Sequence, residues 1–164
     1  MKRALKHLNS DKHYADGLGT VLNLKKTSQI NEWVQNFLRA DEGSNVRLAD
    51  RLKQHSEYVV GPIEYPLEDL VSILGPDDTY LYFEDPEKLA IRVNSMCKSM
   101  AKGWKPAPLI VSDIWEDYFE IADGCHRQRA LLAAGYSKYY VIFYFRNAQT
   151  MADFLASQKS SASI

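Results

Sequence analysis

Cysteines and long hydrophobic runs are both scarce in this sequence of 164 residues. The two cysteines, Cys97 and Cys125, are too few for a disulfide framework, and no second cysteine or histidine stands at the spacing of a zinc site. No stretch approaches the roughly 18 apolar residues of a membrane span, and the N-terminus has no apolar run like that of a signal peptide. These absences predict a cytoplasmic protein with reduced thiols and no membrane partner.

A large excess of charge of one sign is also absent. The 20 basic and 21 acidic side chains leave a formal net charge of −1, whereas a dedicated DNA-binding domain carries a strong basic excess. The charge is unevenly distributed, with net values of +4 over residues 1–40, −8 over residues 41–90 and +3 over residues 91–164. Hydrophobic residues make up 46% of the chain, which is typical of a folded domain and excludes wholesale disorder.

Helical periodicity characterises the first part of the chain. Ser28 has the character of an N-cap, and the apolar residues that follow it recur at helical spacing. A second, shorter helix is predicted over residues 46–52. Residues 1–56 are therefore interpreted as a helical N-terminal extension.

Strands and helices alternate in the rest of the chain. Strands are predicted over residues 58–63, 80–83, 109–111, 118–122 and 139–145, and helices over residues 66–74, 86–102, 125–134 and 148–157. Pro62 predicts that the first strand lies at a sheet edge or contains a bulge. The predicted class is α+β, a small mixed sheet flanked by helices over residues 57–157, with a flexible tail over residues 158–164.

The segment with the strongest chemical signal is Asp123-Gly124-Cys125-His126-Arg127, at a predicted turn from strand to helix. Such a turn offers an anion both unpaired backbone N–H groups and the positive end of the helix dipole. Gly124 allows close approach of a phosphate, Arg127 can bind its oxygens through two hydrogen bonds, and His126 can donate another. Asp123 can orient His126, hold a divalent metal or act as a base.

Two interpretations of this turn are open. In the structural one, Asp123 is an N-cap, and His126 and Arg127 are solvated residues of the first turn. In the functional one, the two basic side chains stand where the helix dipole already supplies positive charge, and a bound anion relieves that unfavourable arrangement. Arg129 faces another side of the helix and is expected to reach only the rim of an anion site. The pattern favours the anion site.

Further segments join this turn in a recognisable order: Ile63-Glu64-Tyr65-Pro66-Leu67, Gly103-Trp104, Pro108-Leu109-Ile110-Val111, Ala130-Leu131 and Gly135-Tyr136. With the Asp-Gly-x-His-Arg turn they span residues 58–145 and resemble the ParB/sulfiredoxin superfamily. The resemblance implies that superfamily's α+β fold and a site for nucleotide phosphates at the turn. The implied cofactors are ATP or another nucleotide together with Mg²⁺, and the implied binding residues are Gly124, Cys125, His126, Arg127 and Arg129.

The branches of the superfamily imply different reactions. Partitioning ParB proteins bind CTP through a Gly-Glu-Arg-Arg motif, which this sequence replaces with His126-Arg127. The Asp-Gly-x-His-Arg branch includes ATP- or ADP-dependent free-serine kinases, which implies phosphoryl transfer to an unidentified small-molecule or protein acceptor. Asp123 would then hold the metal or act as base, His126 would neutralise phosphate, and Glu64 or Glu68 would assist.

Two functions other than phosphoryl transfer are open. Cys125 stands where sulfiredoxins have their nucleophile, which implies a sulfiredoxin-like reductase. However, Asp123 replaces a glycine there, and its charge opposes a thiolate, so Cys125 is interpreted as a small residue at a variable position. The other alternative is a non-enzymatic, nucleotide-gated module that binds protein or DNA. A two-metal nuclease is least favoured, because no pair of carboxylates has the spacing that it needs.

Overall fold

The computed structural model describes residues 18–40 and 45–162 of the chain. Residues 18–22 are helical. The helices that follow are α1 (Thr27–Arg39), α2 (Val46–Lys53), α3 (Pro86–Ala101), α4 (Cys125–Ala133) and α5 (Ala148–Ala162). Its strands are β1 (Val59–Pro66), β2 (Leu74–Gly75), β3 (Tyr82–Phe83), β4 (Leu109–Ser112), β5 (Glu120–Asp123) and β6 (Lys138–Tyr144). The predicted α+β class is confirmed. Parts of the predicted extension, residues 1–17 and 41–44, and the last two residues of the predicted tail lie outside the described residues.

The main sheet has four strands in the order β1-β6-β4-β5. The central strand β6 runs antiparallel to β1 and parallel to β4, and β4 runs antiparallel to β5. Val141, Ile142 and Phe143 of β6 are fully buried, because helices and loops cover both faces of the sheet at its centre. Burial on both faces explains why this strand reads in the sequence as a continuous apolar run.

Strand β1 confirms both expectations that Pro62 raised. It lies at the edge of the sheet, and its register with β6 shifts between Val60 and Ile63. A proline lacks the N–H that a ladder requires, so an edge strand with a local irregularity accommodates it.

The N-terminal helices pack on the same core as the sheet. Ile30, Val34 and Leu38 of α1 are buried together with residues of α2 and of the sheet. The hydroxyl of Tyr144 in β6 donates a 2.7 Å hydrogen bond to the side-chain oxygen of Asn31 in α1. The predicted N-cap at Ser28 is wrong, because α1 begins at Thr27 and the capping position is held by Lys26 without a side-chain hydrogen bond.

The predicted helix over residues 66–74 is also wrong. Pro66 ends β1, and only a short 3-10 turn, Leu67–Asp69, follows it. The backbone N–H of Val71 donates to Phe119, and its carbonyl accepts from Ile121. These contacts with the sheet use backbone groups that a helix would pair internally, so tertiary contacts override the local preference.

The last helix is longer than predicted. Helix α5 continues past residue 157 to Ala162, so the predicted tail is helical as far as that residue. Asn147 accepts a hydrogen bond from the N–H of Thr150 at the start of α5, and Phe154 is buried against the core. The basic side chain of Lys159 in the last turn is favourable with the helix dipole.

Candidate anion site at the start of helix α4

The predicted strand-to-helix turn is present. Strand β5 ends at Asp123, helix α4 begins at Cys125, and Gly124 between them has a left-handed backbone with φ +116°. Among the described residues, no side chain caps the N-terminus of α4. Because the first amides of a helix have no partner within it, this end presents N–H donors and the positive end of the dipole. The structural interpretation of Asp123 as the N-cap is wrong, since Gly124 holds that position.

Arg127 belongs to the turn, but its guanidinium points into the protein. The side chain is only 8% exposed. Both terminal nitrogens lie 3.2–3.3 Å from Oδ2 of Asp123, and Nη2 also donates to the carbonyl of Pro108 at 3.0 Å. The guanidinium carbon lies 5.4 Å from the centre of the Phe37 ring. These contacts give Arg127 a role in positioning the turn, and the predicted contact with a phosphate would require the guanidinium to leave Asp123 and Pro108.

Asp123 is a poor candidate for a magnesium ligand. One of its oxygens already accepts hydrogen bonds from Arg127, and the adjacent positive charge opposes a second cation. No group of three or more His, Cys, Asp or Glu side chains within residues 18–40 and 45–162 is arranged to hold a metal ion. The residues around the turn therefore do not fit a resident magnesium ion held by Asp123.

His126 forms a polar cluster with two residues that the sequence analysis did not single out. Its Nε2 lies 2.5 Å from Oε2 of Glu84, and Oε1 of Glu84 lies 3.4 Å from Nε of Arg92 in α3. Glu84 is 42 positions from His126 in sequence, so no local motif joins them. The nearest sequence signal is the predicted start of the helix over residues 86–102, which follows Glu84 by two positions.

The contact with Glu84 defines the protonation of His126. A carboxylate only accepts hydrogen bonds, so Nε2 of His126 carries the proton and Nδ1 is the nitrogen that can exchange one. Burial lowers the pKa of His126, as do the charges of Arg92 and Arg127, while the hydrogen bond to Glu84 opposes the shift. The neutral imidazole, with a basic Nδ1, is therefore the form expected at pH 7.

Cys125 and Arg129 lie apart from this cluster. Cys125 is 8% exposed, and its sulfur lies 3.8 Å from the carbonyl of Ile121 in β5. A nucleophile has to reach its substrate, so this geometry favours the predicted structural role. Arg129 donates to the carbonyl of Leu74 at 3.5 Å, and its guanidinium lies over the ring of Tyr80. It thus supports the β2–β3 segment.

The neighbouring residue Gln128 was missed by the sequence analysis. It is buried, and its amide donates to the carbonyls of Leu67 and Leu70 at 2.8 and 3.0 Å. These bonds fix the 3-10 turn against α4.

The two glutamates that the resemblance implied as catalytic assistants, Glu64 and Glu68, are both exposed. The glutamate that contacts His126 is Glu84.

The sequence matches no model of a protein family, and no curated protein matches it. Within the described residues, none of the helices has both the length and the apolar character needed to cross a membrane. The ParB/sulfiredoxin resemblance thus remains a hypothesis carried by the motif residues around Gly124.

Proposed function

We propose that this protein binds the phosphates of a nucleotide, with ATP as the first candidate, at the start of α4. The bound nucleotide would donate a phosphoryl group to a hydroxyl acceptor. The observation that carries the proposal is the contact between Glu84 and His126 beside an uncapped helix N-terminus. The free amides of α4 would bind phosphate oxygens. Arg92, 45% exposed in its side chain, would supply the guanidinium that was expected from Arg127.

His126 would serve as the general base in this reaction. Its Nδ1 would take the proton from the acceptor hydroxyl, while the acceptor oxygen forms a bond to the γ-phosphorus. The bond between that phosphorus and the β–γ bridging oxygen breaks, and its electron pair leaves with ADP. The proton on His126 then passes to solvent. Glu84 would keep the imidazole oriented, and the transferred group would come from a magnesium–ATP substrate.

Nucleotide binding is expected to depend on Arg92. A thermal-shift and calorimetric panel of ATP, ADP, CTP and GTP, each with and without magnesium, measures it on the full chain. Ligand at 100 times its dissociation constant adds about 2.7 kcal/mol of stability, a shift of several degrees. Arg92→Met should weaken affinity about tenfold, because it removes a charge-assisted contact to phosphate.

The matched control is Lys98→Met, which removes one positive charge from the exposed surface of the same helix. If both variants lose the same nucleotide affinity, the loss reports only the change in net charge, and the proposed role of Arg92 in the site is contradicted. No binding of any nucleotide by the wild type would overturn the proposal. Binding without turnover would replace phosphoryl transfer by the alternative of a nucleotide-gated module.

The pH dependence of turnover tests the role of His126. A base acts in its neutral form, so the rate should rise with pH through the pKa of His126, which lies below its ordinary value of about 6.5, and be level above pH 7. In Glu84→Gln the acid limb should move to lower pH, because the interaction that raises this pKa is weakened. The plateau should also fall, about tenfold, as orientation is lost.

The measurement is a pH–rate profile of ADP formation, with Glu64→Gln as the control that removes an exposed glutamate elsewhere. A rate that falls as the pH rises through this range would assign His126 the opposite role, that of a protonated phosphate ligand. An unshifted acid limb in Glu84→Gln would contradict the coupling of the two residues.

A further inference from the structure

A groove of about 360 Å³ opens beside the edge strand β5. One wall is the segment around β2, which includes Val71, Tyr80 and Leu81, and the other wall is the loop before β5 with Tyr118. Val71 is bridged to Glu120 and so extends the sheet by one short pairing. The lining is divided about evenly between apolar or aromatic side chains and polar ones, the latter being Ser72, Thr79, Glu116 and Glu120.

Exposed apolar side chains continue from this groove onto β3. Leu81, Tyr82 and Phe83 are consecutive and are 73%, 58% and 66% exposed. Val71 and Tyr118 in the groove are also exposed, at 41% and 47%. Single exposed hydrophobic residues are ordinary, but a contiguous patch that includes an edge strand marks an interaction surface. In the described part of the chain, β3 pairs only with β2.

The charge around the groove is of one sign. Its two walls come from stretches without any lysine or arginine: residues 54–87 contain nine Asp or Glu, and residues 106–126 contain five. Glu116 and Glu120 line the groove itself, and neither has an ion-pair partner among the described residues. Partial burial, and after it the charge of Glu116, raise the pKa of Glu120.

Each of the nearby arginines already contacts another side chain. Arg129 lies over the ring of Tyr80, and Arg51 lies over the ring of Trp115. Arg146 forms an ion pair with Asp117 at 3.0 Å. None of these arginines lines the groove.

We propose that this groove binds a segment of a partner protein in which lysine or arginine stands next to apolar residues. The apolar side chains would pack on Leu81, Phe83 and Val71, and the basic side chain would lie between Glu116 and Glu120. Nucleic acids and anionic lipid surfaces are disfavoured, because their charge has the same sign as the groove. The inference is independent of nucleotide binding at the start of α4.

The test uses the full chain and a labelled nine-residue peptide that alternates lysine and leucine, with binding followed by fluorescence anisotropy. A peptide with glutamate in place of lysine is the first control. Glu116→Gln combined with Glu120→Gln should weaken binding of the lysine peptide roughly tenfold, the sum expected of two partly exposed ion pairs. Leu81→Ser combined with Phe83→Ser should weaken it without loss of fold, since both side chains are exposed.

Glu64→Gln combined with Glu68→Gln is the matched control, because it removes two exposed acidic charges outside the groove. Circular dichroism of every variant checks that the fold is retained. The proposal is overturned if the two glutamine double variants lose the same affinity for the lysine peptide, or if the glutamate peptide binds as tightly as the lysine peptide. It is also overturned if the lysine peptide does not bind at concentrations up to about 1 mM, near the weak limit of specific association. Self-association of the wild type that is lost in the Leu81→Ser and Phe83→Ser variant would also overturn it, by assigning the patch to a second copy of the chain.

Discussion

Arg127→Met is expected to lower the free energy of unfolding by about 3–5 kcal/mol, the range for removal of one partner from a buried ion pair. The side chain of Arg127 is only 8% exposed. It supplies hydrogen bonds to Asp123 and to the carbonyl of Pro108. Methionine has a similar length and can still pack on Phe37, so the loss reports the hydrogen bonds and the charge. Urea unfolding measured by circular dichroism gives the value.

Two comparisons isolate the cause. Arg92→Met removes a partly exposed arginine with a longer contact, 3.4 Å to Glu84, and should cost less than about 1 kcal/mol. Adding Asp123→Asn to Arg127→Met should recover part of the stability, because the carboxylate left without a partner is then neutral. A stable Arg127→Met variant that loses nucleotide binding would mean instead that the guanidinium turns outward to a phosphate.

Replacement of an arginine in the turn can change both the stability of the protein and its affinity for a ligand. In a thermal-shift assay, an arginine that stabilises the fold and an arginine that binds phosphate both alter the melting temperature when replaced. Arg92 and Glu84 separate these effects better, because they contact His126 or its partner from outside the α4 turn. Ligand affinity at constant fold is then the informative quantity.

The sequence predicts the framework of the fold because its signals are local. The apolar runs at 109–111 and 139–145 become the two central strands, and Gly124 between Asp123 and Cys125 gives the break between strand and helix. The segment after Pro66 is different. Its backbone pairs with β5, a partner about 50 residues away that no periodicity within the segment can reveal.

The candidate site is predictable in position but not in geometry. The Asp-Gly-x-His-Arg turn places donors at the start of α4, but the direction of Arg127 depends on where Pro108 and Phe37 lie in three dimensions. The same holds for Glu84, which precedes α3 and meets His126 because α3 packs beside α4. Long-range packing therefore decides which of two neighbouring basic side chains faces the site and which supports it.

Gly124→Ala should lower the free energy of unfolding by about 3 kcal/mol. A non-glycine residue in a left-handed conformation costs roughly 1–2 kcal/mol, and overpacking a filled site costs roughly 1–3 kcal/mol more. A Cβ at this position would lie 2.6 Å from Cδ2 of Leu109 and 3.0 Å from Nη2 of Arg127. Neither neighbour can withdraw easily, because Leu109 is fully buried and Arg127 is held by Asp123 and Pro108.

Gly135→Ala, at the other end of α4, is the matched control for this change. Gly135 also has a positive φ, +95°, but a Cβ there would meet nothing within 4 Å, so only the backbone cost of about 1–2 kcal/mol is expected. In a Leu109→Ala background the excess cost of Gly124→Ala should fall, because the crowding methyl group is removed. Equal costs at the two glycines would contradict this account and leave Gly124 free to serve ligand approach alone. A larger loss of stability in Gly124→Ala would mean that packing against Leu109 and Arg127 is enough to require a glycine there. Evidence for the anion site then has to come from variants of Arg92 and His126.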